Sequence, residues 1–134
     1  MATSLFLNLP VKDLSRAVSF FTKLGYTFNA QFTNESATCM IVSENIYVML
    51  LVEKFFQTFT DKKLIDRSTS INALVALSAG SREAVNRFVD TAIAAGAKEH
   101  RAPQDHGFMY SRSFEDLDGH VWESFWMDQA HVQK

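Results

Sequence analysis

"SRAVSFF" at 15–21 and "SREAVNRFV" at 81–89 carry one pattern written twice. Laid over each other, Val18 matches Val85 and Phe21 matches Phe88. Each stretch repeats its apolar residues at helical spacing, Leu14, Ala17, Val18, Phe21 and Leu24 in the first and Val85, Phe88, Val89, Ala92 and Ile93 in the second. Asp13 and Ser81 stand where a side chain can cap the helix start, and Gly25 and Gly96 where a left-handed residue ends it. The second helix is expected to be one turn longer.

The flanks repeat as well. "SLFLNLPV" at 4–11 alternates and reads as a strand, with Leu5, Leu7, Leu9 and Val11 on one face and Phe6, Asn8 and Pro10 on the other. Strands are predicted at Tyr26 to Thr33, Ala37 to Ser43 and Ile46 to Glu53, broken by the turn-rich Thr33-Asn34-Glu35 and Ser43-Glu44-Asn45. Residues 54–69 lose the alternation and read as a linker with a helical turn. "SINALVALSA" at 70–79 opens the second half, followed after its helix by strands at Ala97 to His100, Phe108 to Glu115 and His120 to Met127. Asp118-Gly119 forms the last hairpin turn.

This order is a tandem repeat, with a first βαβββ module at 1–53, a linker at 54–69 and a second module at 70–134 within one compact domain, 1–134. One helix covers only one face of each sheet, so the fold expected is α+β, with tandem βαβββ modules forming a curved mixed sheet around a concave pocket.

Bulk properties agree with a folded domain of 134 residues: 47% hydrophobic, with twelve phenylalanines. A net charge of −2 without any basic stripe argues against nucleic-acid binding. No apolar run is long enough to span a membrane, the first residues lack a signal-peptide pattern, and the single Cys39 excludes an internal disulfide. These features predict a soluble cytoplasmic protein with no nucleic-acid or membrane partner.

"LNLPVKDLSRAVSFFTKLGYTF" at 7–28 and "RSFEDLDGHVWESFW" at 112–126, together with the repeat, resemble the vicinal oxygen chelate superfamily of glyoxalases, extradiol dioxygenases and bleomycin-resistance proteins. The resemblance implies a homodimer. It also implies, for metal-dependent members, one His or Glu ligand on the first and last strand of each module. Facing "ENIYV" at 44–48 with "GHVWE" at 119–123 places those positions at Phe6, Val48, Leu74 and Glu123. Only Glu123 can ligate a metal, because Phe, Val and Leu side chains carry no lone pair. The neighbours Leu5, Leu7, Tyr47, Met49, Ala73 and Val75 offer no strong ligand either, so no cofactor is expected.

Glu123 is thus a candidate pocket carboxylate, binding a cation or acting as a general base. Phe6, Val48, Leu50, Leu74 and Phe125 are expected to line the pocket with apolar surface. Asn8 and Asn72 stand on the concave face of the two first strands, where a buried amide needs partners. His106 lies in a Pro- and Gly-containing loop of the kind that carries binding residues. Tyr110 and Arg112 share a face, with Arg112 free to pair with Glu123 or Glu115 or to grip a ligand carboxylate. His100 and His131 give no functional signal, and Cys39 reads as a small buried hydrophobe.

Two functions fit this reading. One is a glyoxalase/bleomycin-resistance-like protein that binds a small aromatic or amphipathic molecule without the usual metal site. The other is a metal-dependent lyase or dioxygenase of the glyoxalase or extradiol type, with a divalent ion in a rearranged site using Glu123.

Overall fold

The computed structural model describes residues 2–131. Residues 1 and 132–134, the ends of the two-module reading, lie outside the described residues. The chain divides into two compact units, Met1–Ile65 and Asp66–Lys134.

In the first unit, β1 (Leu5–Val11) leads into α1 (Leu14–Lys23), followed by β2 (Thr27–Asn29), β3 (Ala37–Ser43) and β4 (Ile46–Val52). The sheet order is β1-β4-β3-β2, with β1 and β4 parallel and the other pairs antiparallel. Asp13 caps α1 by accepting the Arg16 N–H at 3.1 Å, which satisfies one of the orphan donors of the first turn. Ala17, Phe20 and Phe21 are the buried residues of α1. The expected strand at 26–33 is cut short, because Asn29 accepts the Gln31 N–H at 2.9 Å and starts a 3₁₀ turn over Ala30–Phe32. After β4 the chain forms a short helix, α2 (Glu53–Phe56), and a 3₁₀ turn at Gln57–Phe59, where Phe55 meets Phe59 edge to face at 5.1 Å.

The second unit repeats the plan with β5 (Leu74–Ser78), α3 (Arg82–Ala94), β6 (Lys98–Asp105), β7 (Met109–Glu115) and β8 (Val121–Met127), in the order β5-β8-β7-β6. Ser81 caps α3 through the Ala84 N–H. Its 13 residues against 10 in α1 supply the expected extra turn. Gly25 and Gly96 follow their helices with φ of 101° and 115°. The core of this unit holds the fully buried Trp122 and Phe114 with Val85, Val89 and Ala92 of α3. Strand β5 is shorter than the predicted 70–79: pairing with β8 starts only at Leu74↔Val121, so the residues before it have no ladder to join. Strand β6 is longer than predicted. It is wholly exposed, and an edge strand of polar residues shows no alternation to read.

Candidate functional site

Strand register decides which residues share a face. In the second sheet Glu123 pairs laterally with Ala76 on β5 and Ser113 on β7, while Leu74 pairs with Val121. Residues two apart on a strand point the same way, so Leu74, Ala76, Val121, Glu123, Phe125, Ser111 and Ser113 share one face. Trp122, Ser124, Tyr110, Arg112 and Phe114 lie on the other, against α3.

The Tyr110 and Arg112 side chains therefore point to the α3 face, although Arg112 still borders the pocket around Glu123. The Tyr110 hydroxyl donates to Asn86 Oδ1 on α3 at 2.7 Å. Arg112 donates to Asn86 and Asp90 on α3, at 3.1 and 2.9 Å, and to both carboxylate oxygens of Glu99 on β6, at 3.1 and 3.2 Å. Its side chain is 10% exposed, and its carboxylate partners are Asp90 and Glu99 rather than Glu123 or Glu115. Arg112 is a strut between helix and sheet.

The first sheet brings further corrections. Val48 pairs with Leu7 and Leu50 with Leu9, which puts both on the opposite face from Phe6 and Asn8. Each is 1% exposed, so Val48 and Leu50 are core residues rather than pocket lining. The Phe6↔Tyr47 pair corresponds to Leu74↔Val121, which makes Met49, not Val48, the counterpart of Glu123. The slip by one residue arises in the turns: Asp116 to His120 is longer than the tight turn after Ser43, so matching "ENIYV" to "GHVWE" residue for residue loses the face. Phe6 itself is 51% exposed and stacks on Tyr47, with centroids 4.7 Å apart and rings 15° from parallel.

Asn8 is exposed, and its amide donates to the Phe6 carbonyl of its own strand at 3.2 Å. Asn72 lies in an exposed bend before β5, not on a strand face. His106 sits in the exposed β6–β7 turn, where its backbone N–H donates to the Met109 carbonyl, and its ring lies 6.4 Å from Phe108. None of the three joins Glu123. Cys39 is buried at 1% exposure, and burial pushes its thiol up, as suits a small core hydrophobe.

Around Glu123 there is a pocket of about 130 Å³, floored by Leu74, Val121, Ser111 and Ser113. Its wall is β6, through His100, Arg101 and Gln104. In the sequence His100 carries no functional signal, and nothing singles out Arg101 or Gln104. The strand is irregular, with register shifts between Glu99 and Arg101 and between Arg101 and Gln104, and bulges of this kind re-aim side chains. Arg101 thereby pairs with Ser113 and Gln104 with Ser111, on the Glu123 face.

Strong metal donors are sparse at the strand positions that match between the units. In the first unit the matching positions are Phe6 and Met49, and in the second they are Leu74 and Glu123. No three His, Cys, Asp or Glu side chains converge among the described residues.

A family model for the bleomycin resistance protein-like N-terminal region matches residues 3–43, which cover β1, α1, β2 and β3. No curated protein matches the chain. Among solved structures, the hypothetical protein SA1046 from S. aureus is 25% identical with a TM-score of 0.79, over 94% of this chain and 95% of that one. A glyoxalase-related enzyme from Fulvimarina pelagi is 16% identical with a TM-score of 0.80, over 94% and 88%. The fosfomycin resistance protein FosX from Mesorhizobium loti is 17% identical with a TM-score of 0.68, over 97% of each chain. The chain has the vicinal oxygen chelate fold. Within that fold, Glu123 on β8 is the only carboxylate or imidazole at the four strand positions that match between the units. No helix among the described residues is long and apolar enough to cross a membrane.

Proposed function

We propose that this vicinal oxygen chelate chain is a metal-independent binding protein for a small aromatic or amphipathic molecule, working as a homodimer in the cytoplasm. The observation that carries the reading is the composition of the pocket around Glu123. One half-buried carboxylate stands beside Leu74 and Val121, with no second strong metal donor at the equivalent strand positions. The lining is amphipathic: Leu74, Ala102 and Val121 offer apolar surface, and His100, Arg101, Gln104, Ser111, Ser113 and Glu123 offer polar groups that would fix a ligand's orientation. The exposed Phe6–Tyr47 stack supplies aromatic surface at the corresponding place in the first unit.

The test has two arms. Protein purified without added metal or chelator is incubated with Zn²⁺, Ni²⁺, Mn²⁺ or Fe²⁺, desalted and assayed for metal. The expected result is no stoichiometric retention, together with a raised melting temperature in a panel of small aromatic ligands. Stoichiometric metal that is lost in Glu123→Gln overturns the reading and favours a lyase or dioxygenase with a rearranged site. Light scattering on the same sample checks the homodimer.

A further inference from the structure

We infer that the molecule held in the second unit is a zwitterion, with its cationic group on Glu123 and its anionic group on Arg101. This deepens the binding reading above and rests on it. The register places Arg101, Ser113, Glu123 and Ala76 side by side in one row across β6, β7, β8 and β5. Strands lie about 4.8 Å apart, so the Cα atoms of Arg101 and Glu123 are roughly 10 Å apart with only a serine between them. Ser113 is small, which leaves the row low between the two charges, and both charged residues line the same pocket.

Neither Arg101 nor Glu123 makes an ion pair or side-chain hydrogen bond among the described residues. The contrast with Arg82 and Arg112 in the same unit is informative, since both of those are held by carboxylates at 2.8 to 3.2 Å. The two open charges are of opposite sign, and the β6 irregularity delivers Arg101 to this face. A ligand with one charge satisfies one of them and is repelled by the other, because the separation is close to the Debye length of about 8 Å at physiological salt. A molecule with both charges satisfies both. Leu74 and Val121 beside the row then meet its apolar part.

The test is calorimetric titration of the full chain with four probes of one aromatic body: 4-(aminomethyl)benzoate, benzylamine, benzoate and benzyl alcohol. The zwitterion is expected to bind about tenfold more tightly than either singly charged probe, the scale of one charge-assisted hydrogen bond. Glu123→Gln should reduce it to the level of benzoate and Arg101→Met to that of benzylamine, with benzyl alcohol unmoved. Both side chains are partly or fully exposed and unpaired among the described residues, so the variants should melt like the parent chain. Comparable binding of all four probes, or of the zwitterion to parent and variants, overturns the inference and leaves the binding reading standing. Failure of every probe to bind overturns both.

Discussion

Trp122 donates its indole N–H to Asp116 Oδ2 at 2.9 Å, from a ring with no exposed surface. The other carboxylate oxygen of Asp116 accepts the backbone N–H groups of Asp118 and His120, at 2.9 and 3.0 Å. One buried side chain thus ties the β7–β8 turn to the strand that carries Glu123. Burial pushes the Asp116 carboxyl above its ordinary range, against the opposing pull of His120 and the three donors.

The first prediction follows from that geometry. Asp116→Asn keeps the shape but turns an amide NH₂ toward one of three N–H donors, leaving donor facing donor. Trp122→Phe keeps most of the ring and strips Oδ2 of its partner. Each should cost about 1–3 kcal/mol, the penalty of an unsatisfied buried polar group. The double variant should cost less than the two combined, since the residues share one bond. Urea denaturation of the four proteins measures this, and strict additivity would sink it.

Gly119 makes a second prediction in the same turn. Its φ is 86°, and a Cβ there would lie 2.7 Å from Arg67 Cβ and 2.8 Å from the Arg67 carbonyl oxygen. Arg67 is held in place by donating its Nε–H to the Asp118 carbonyl at 2.6 Å, so it cannot easily withdraw. Gly107 has a similar φ of 78° but open space around it. Gly107→Ala should therefore show only the left-handed backbone cost of about 1 kcal/mol, and Gly119→Ala clearly more. Equal melting temperatures for the two variants would contradict the clash.

Leu50 and Leu74 separate core from pocket. Leu50 is 1% exposed and Leu74 56%. Leu50→Ala should cost about 2–5 kcal/mol, whereas Leu74→Ala should stay within about 0.5 kcal/mol and weaken ligand binding instead. Thermal melts with and without an aromatic ligand distinguish the two effects.

That pair also marks where the sequence was legible. The helix stripes, the caps at Asp13 and Ser81 and the turn at Gly119 are local signals, each carried by a few neighbouring residues, and they are enough to read the repeat. Matching the units strand to strand puts Leu74 and Glu123 on one face, and the pairs Leu74↔Val121 and Ala76↔Glu123 agree. Val48 and Leu50 could not be placed this way, because β4 ("IYVMLLV") is apolar on both faces and its register is set by pairing with β1 rather than by its own pattern. The partners of Arg112 are hidden for another reason: Asp90 and Glu99 lie on two other elements, and nothing near Arg112 in sequence announces them. Arg101 reaches the pocket through irregular pairing of an edge strand, which composition does not encode.

The last prediction concerns acid. Asp105 accepts both terminal N–H groups of Arg82, at 2.8 and 3.0 Å, and the Gly107 backbone N–H at 2.9 Å. The Arg82 bonds are the larger cause and the Gly107 bond the next, and together they lower the Asp105 carboxyl from 3.8 to about 2. A carboxyl whose folded pKa lies below its unfolded one lends stability that is present above the unfolded value of 3.8 and lost as pH falls through about 2. Arg82 also lies over the Tyr110 and Trp126 rings, at 5.2 and 5.1 Å, which hold the guanidinium in place for the pair. Asp116 acts with the opposite sign: its raised carboxyl gives a contribution present below the unfolded value and lost as pH rises through the folded one. Carbon-13 NMR titration should therefore find Asp105 protonating near 2, and Arg82→Met should return it toward 3.8 while leaving the Asp116 titration where it was. An Asp105 that titrates at its ordinary value in the parent chain would show that the Arg82 pair does not form in solution.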